Sequence, residues 1–163
     1  MNMKKLLLIP KMLLTVLSME ACSGTCEEPF IPEQPETPEN SSLHVNIMVG
    51  DRTITATMED NAAARDFLLR LPLEVTLNDY NNITEKIFYP SPALTTKGVT
   101  RGCAPTPGDI TIYAPWGNVA IFCKSWSHSN DLIKIGRIDG NGIEALNIAG
   151  DVPVKFIKSI IIK

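Results

Sequence analysis

The chain has little histidine, no excess of positive charge and no apolar run long enough to cross a bilayer, and each shortage excludes something. His44 and His128 are its two histidines. Neither stands at ligand spacing with a cysteine or with the other, which argues against a zinc site. Lys and Arg number 15 against 18 Asp and Glu, a formal net charge of −3. Nothing in that balance attracts nucleic acid. The longest mainly apolar stretch, Leu6 to Leu17, is interrupted by Pro10 and Lys11. It falls short of the roughly 20 residues a spanning helix needs. Aromatic residues make up 6% of the chain, so where they gather is informative.

What the N-terminal region does contain is organised by charge. Lys4 and Lys5 precede the apolar stretch as a positive n-region, and the stretch itself has the length of a signal-peptide h-region. Residues 1–21 therefore read as a signal peptide. The following Met19-Glu20-Ala21-Cys22 resembles the lipobox of bacterial lipoproteins, which makes Cys22 the expected lipidation site. Residues 22–42 hold four prolines and five glutamates with no Lys or Arg. Such a segment has too little apolar surface to offset the entropy of ordering it, so it reads as an extended, disordered, acidic tether. Acidic residues soon after a lipidated cysteine also resemble the surface-export signal of Bacteroidetes lipoproteins. The expected location is the cell envelope, as an outer-membrane lipoprotein facing the periplasm or the cell surface. Membrane contact is expected through the lipid anchor alone.

Residues 43–163 carry 12 basic and 12 acidic side chains, the balance of a globular surface. Leu43 to Val49 alternates as a strand, Gly50-Asp51 turns, and Thr53 to Met58 returns. Asp60 or Asn61 suits an N-cap for a helix over Ala62 to Leu71, with Ala63, Phe67, Leu68 and Leu71 on one face. Pro72 stops it. Leu73, Val75 and Leu77 alternate in a further strand, Asp79 to Thr84 reads as a polar loop, and Glu85 to Tyr89 is again strand-like. Pro90 to Pro107 reads as a long irregular loop, of the kind that is functional or mobile. Gly108 to Lys124 forms the central hairpin, turning at Pro115-Trp116-Gly117-Asn118. It is rich enough in β-branched and aromatic residues to need cover on both faces. Ile133 to Ile138 makes a strand, Asp139 to Gly142 a turn, Ile143 to Ile148 a short helix or turn, and Val152 to Ile162 the last strand. About eight short strands with two short helices describe a mainly β barrel.

Several short motifs, in order, carry a resemblance to a known family. They are Met58-Glu59-Asp60-Asn61, Leu71-Pro72-Leu73, Asn78-Asp79-Tyr80 with Glu85-Lys86, Pro107-Gly108-Asp109-Ile110 and Leu132 to Ile138. Together they resemble the bacterial cyclophilin-like domain family over nearly all of residues 43–163. The resemblance implies a closed eight-stranded antiparallel barrel with two short capping helices. True cyclophilins isomerise X-Pro bonds with an arginine in an F-H-R-x-x-x-x-F-M-x-Q-G-G-D segment, and nothing like that segment is present. The expected role is a non-catalytic binding or accessory module. The alternative is a peptidyl-prolyl cis-trans isomerase of the envelope, which would need Arg101, or another Arg, facing a hydrophobic proline pocket. Relatives found beside flavodoxin-like proteins keep a small-molecule site open as a third reading.

Other candidate motifs reduce to ordinary structure. Asp139-Gly140-Asn141-Gly142 resembles the start of a calcium loop, but Gly150 stands where the twelfth-position Glu should be. Gly140 to Ala145 matches G-x-G-x-x-A without the parallel βαβ unit that a dinucleotide needs. Ser127, His128 and Asp131 are of triad types, but sequence neighbours rarely converge in triad geometry. No cofactor or metal is expected. Cys103 and Cys123 could pair in an oxidising compartment, or Cys123 could be a buried reduced thiol. Tyr113, Trp116, Phe122 and Trp126 cluster on or beside the central hairpin. Phe122 and Tyr113 read as filling the barrel or its helix contacts. Trp116 and Trp126 are hard to bury, so they are the expected apolar contacts for a peptide, glycan or small-molecule ligand. Tyr80, Glu85 and Arg101 are their expected polar partners.

Overall fold

The computed structural model describes residues 43–159. The expected signal peptide, the lipidation site Cys22 and the tether lie outside the described residues. Eight strands form the wall: β1 (His44–Val49), β2 (Arg52–Met58), β3 (Leu73–Tyr80), β4 (Glu85–Phe88), β5 (Asp109–Tyr113), β6 (Asn118–Phe122), β7 (Leu132–Ile138) and β8 (Val152–Lys158). They close in the order β1-β2-β7-β5-β6-β4-β3-β8. Every pairing is antiparallel, with β8 returning to β1 through Ile47 opposite Phe156. Closure removes the free edges that the apolar strands would otherwise expose.

Two-residue alternation builds the interior. Val45 and Ile47 of β1, Ile54, Ala56 and Met58 of β2, and Val152, Val154 and Phe156 of β8 all point inward and are buried. The helix α1 (Ala62–Leu69) links β2 to β3, strands that β1 and β8 separate in the barrel order. It therefore crosses the barrel end. Asn61 is its N-cap, its Oδ1 accepting from Ala64 N at 2.9 Å. Ala63, Ala64, Phe67 and Leu68 enter the core, where the Phe67 ring meets Phe156 edge-on at 5.3 Å.

Several expectations need correction. The second capping helix is a single 3-10 turn, Gly142–Ala145. A four-residue turn that begins at a glycine cannot repay the cost of nucleating an α-helix. Gly142 also passes so close to the wall that a Cβ there would meet Ile138 Cγ2 at 2.8 Å. α1 ends at Leu69, two residues early, and Arg70 and Asp66 beside its end are half-buried. They pair at 2.9 Å, and Arg70 also binds the carbonyls of Pro92 and Ala93. Asp66 Oδ2 accepts from Thr95 N at 2.8 Å, so this ion pair clasps the long 90–107 segment to the helix. Burial pushes the Asp66 carboxyl upward, but Arg70 and the Thr95 N–H outweigh it and hold it below the usual range. β3 runs on to Tyr80 rather than ending before Asp79, which extends its pairing with β4. β8 ends at Lys158, and Ser159 N donates to His44 O at 3.0 Å. Ile160 to Lys163 lie outside the described residues.

Both faces of the β5–β6 hairpin are buried. Ile110, Ile112, Val119 and Ile121 point inward, while Ala120 and Phe122 join Ile87 and Leu132 in a second cluster on the outer face. Cys123 belongs to the inner core and Cys103 packs against the outer cluster, so the two free thiols lie on different sides of the wall. The disulfide does not form.

Candidate functional site

The outer cluster is the floor of a groove of about 640 Å³. Ile87 of β4, Phe122 of β6 and Leu132 of β7 supply the apolar base, because each occupies an outward register position. Phe122 therefore does not fill the barrel, as expected from its hydrophobicity, but carries the groove floor. Its neighbours Ile121 and Cys123 take the inward positions. Tyr113 is half-buried beside the same floor.

The rim comes from three turns. The β5–β6 turn presents Trp116, with Gly117 N donating to Tyr113 O at 2.9 Å and Gly117 at φ +69°, a conformation that glycine adopts without strain. Trp116 is 52% exposed, yet its ring is held edge-on by Tyr113 at 5.3 Å and by Tyr80 at 6.1 Å. Trp126, 50% exposed, is placed by its backbone N–H, which donates to Pro105 O at 3.0 Å. Asn81 opens the β3–β4 turn. Asn81, Asn82 and Ile83 are all left-handed, with φ of 56°, 52° and 56°. That conformation is tolerable for Asn and costly for β-branched Ile. Asp79 Oδ1 accepting from Ile83 N at 2.8 Å and Thr84 Oγ1 donating to Asn81 O at 2.6 Å hold the turn in place.

Glu85 is the one charged side chain in the groove lining. It stands opposite Tyr80 across β3–β4 and opposite Phe122 across β4–β6, so a carboxylate sits between two rings. No hydrogen bond or ion pair to it is found among the described residues. Burial pushes its carboxyl above the ordinary glutamate range.

Tyr80, Glu85, Trp116 and Trp126 thus line one groove, and Arg101 does not. Arg101 is exposed on the preceding loop, which is tied to the groove edge by Gly102 N donating to Leu132 O at 2.8 Å. Asn81, Ile87, Tyr113, Phe122, Ser129 and Leu132 complete the lining. Alternation along β6 set Phe122 on the face opposite Val119 and Ile121 and was a signal for it, whereas Glu-Lys-Ile-Phe in β4 shows no alternation to mark Ile87. Ser129 had none, because a loop carries it there, and Leu132 opens β7, where its pairing with Tyr113 sets its outward position.

A second depression over β1, β8 and β3 is crossed by the Lys155–Glu74 ion pair at 2.7 Å and has no aromatic lining. Among the described residues no group of three His, Cys, Asp or Glu could hold a metal. No helix among them is long and apolar enough to cross a membrane.

The model of the cyclophilin-like family matches residues 47–157 of the chain. The chain belongs to the cyclophilin-like family. Its barrel is also similar to the solution structure of the hypothetical protein AF2241 from Archaeoglobus fulgidus. The TM-score is 0.57 at 18% identity, over 76% of this chain and 100% of that one, a likeness of fold. No curated protein matches the chain. In this cyclophilin-like barrel the groove lies on the outer wall across β4, β5, β6 and β7, away from the packed interior.

Proposed function

We propose that the protein is a non-catalytic, peptide-binding module of the cell envelope, anchored through a lipid on Cys22. The observation that carries this reading is the groove itself, an apolar floor under two half-exposed tryptophans. Large rigid rings beside a preformed concave floor bind with little ordering cost. An extended peptide would lay apolar side chains against Ile87, Phe122 and Leu132, where a glycan would set hydroxyls against hydrocarbon. The cyclophilin isomerase relies on an arginine at the prolyl amide, and among the described residues the groove lining holds none.

The test is a fluorescence titration of the purified chain with a library of acetylated tetrapeptides, with and without proline. Cis-trans exchange is followed in the same samples. Trp116→Phe and Trp126→Phe variants separate the two emitters. The expected result is a change in both tryptophans with no acceleration of exchange. Accelerated exchange would convert the reading to an isomerase, and silence from both tryptophans across the library would end the peptide reading.

A further inference from the structure

Around Glu85 the groove has the composition of a cation site. Glu85, a carboxylate without a partner among the described residues, is register-paired with Tyr80 on one side and Phe122 on the other. Directly opposed residues of an antiparallel pair hold their Cβ atoms roughly 5 Å apart. The carboxylate is therefore within reach of the Tyr80 ring, and through it of Trp116, whose ring lies 6.1 Å from Tyr80.

The cations nearest Glu85 among the described residues do not fill the place. Lys86, next to Glu85 in the chain, points into the barrel and donates to the carbonyls of Ile148 and Gly150 at 2.6 and 2.7 Å. Lys124 lies just beyond β6, and its Nζ donates to Asn82 O at 2.7 Å, on the turn beyond the rim. Arg101 stands outside the lining. A carboxylate that is partly desolvated gains from an incoming positive charge, and aromatic faces attract the same charge through their quadrupoles.

We propose that the peptide the groove takes carries a basic side chain, its ammonium or guanidinium held by the open faces of the Tyr80 and Trp116 rings on one side and the carboxylate of Glu85 on the other. This rests on the peptide reading and names the chemistry by which that site selects. The apolar floor takes the neighbouring residue, and the cation sets the register.

The probes are three tetrapeptide sub-libraries identical except for lysine, norleucine or glutamate at one position, titrated against the purified chain. Lysine is expected to bind about tenfold more tightly than norleucine, with glutamate weakest. Glu85→Gln is expected to bring the lysine and norleucine affinities within about twofold of each other, and Tyr80→Leu to narrow the gap in part. Norleucine binding, read on each variant, reports whether the groove is still formed. Equal affinities for lysine and norleucine in the unaltered chain would overturn the cation site and leave the peptide reading standing. A lysine preference that survives Glu85→Gln would overturn the role of the carboxylate. Failure of all three sub-libraries would remove the peptide reading, and this proposal with it.

Discussion

Glu85 and Lys86 are neighbours in the chain and face opposite sides of the barrel wall. Lys86 is fully buried inside, with Asp79 Oδ2 at 3.5 Å and two backbone carbonyls around its ammonium. Glu85 looks outward into the aromatic groove and has no side-chain partner among the described residues. The pleat separates by one residue a charge that the fold pairs from one that has no partner among the described residues.

Glu85→Gln should stabilise the fold above the carboxylate range. Burial raises the folded-state pKa of Glu85, so the folded state holds the proton more tightly than the unfolded state. Stability is then greatest below the ordinary glutamate pKa, falls as pH climbs through the window up to the raised value, and stays lower beyond it. Glutamine has no such loss. Thermal melts of both proteins across pH should show a gap in favour of the variant that opens as pH rises. Equal melting at neutral pH would contradict the desolvated carboxylate.

Lys86→Met should destabilise the barrel by about 3 kcal/mol, since it removes one partner of a buried, hydrogen-bonded charge and strands two carbonyls. Urea unfolding measures it. A neutral result would mean that the Ile148 and Gly150 carbonyls find water once the ammonium is gone.

The acid limb of stability should run through Asp79 and Asp151. N–H groups of Gly150 and Ile83 lower the Asp79 pKa, and the Asp79 N–H with the Asn78 amide lowers that of Asp151. The stability these groups contribute is complete above the ordinary aspartate range and is lost as pH falls through their lowered values. Asp79→Asn should be less stable at neutral pH and show a shallower decline below about pH 4. An unchanged acid slope would place the limb elsewhere.

Gly136→Ala should cost about 1–3 kcal/mol through overpacking. A Cβ there would stand 2.8 Å from Met58 Sδ and 2.9 Å from Thr57 O. Met58→Ala in the same chain should not restore stability, because the backbone carbonyl remains in the way. Full recovery in the double variant would show that the thioether alone sets the limit.

The sequence by itself determined the barrel. Alternation in Leu43 to Val49, Thr53 to Met58 and Gly108 to Lys124, the stop at Pro72 and the turn at Gly50 are local signals, and they locate strands whatever their partners. It also marked Trp116 and Trp126, because a tryptophan in a turn or among serines has no local route to burial. Only the tertiary structure decided which side of the wall each residue serves. Phe122 reads as core on hydrophobicity alone, but closure of β6 between β5 and β4 turns it outward to meet Ile87 and Leu132. Arg101 shares a polar loop with no local feature to direct it, and the backbone tie from Gly102 to Leu132 brings the loop to the groove edge while its side chain stays out of the lining. Tyr80 and Glu85, five positions apart, become opposed residues because β3 runs to its register limit before a left-handed turn. Local pattern sets the period of each strand, and the pairing across strands, which no single segment encodes, sets the site.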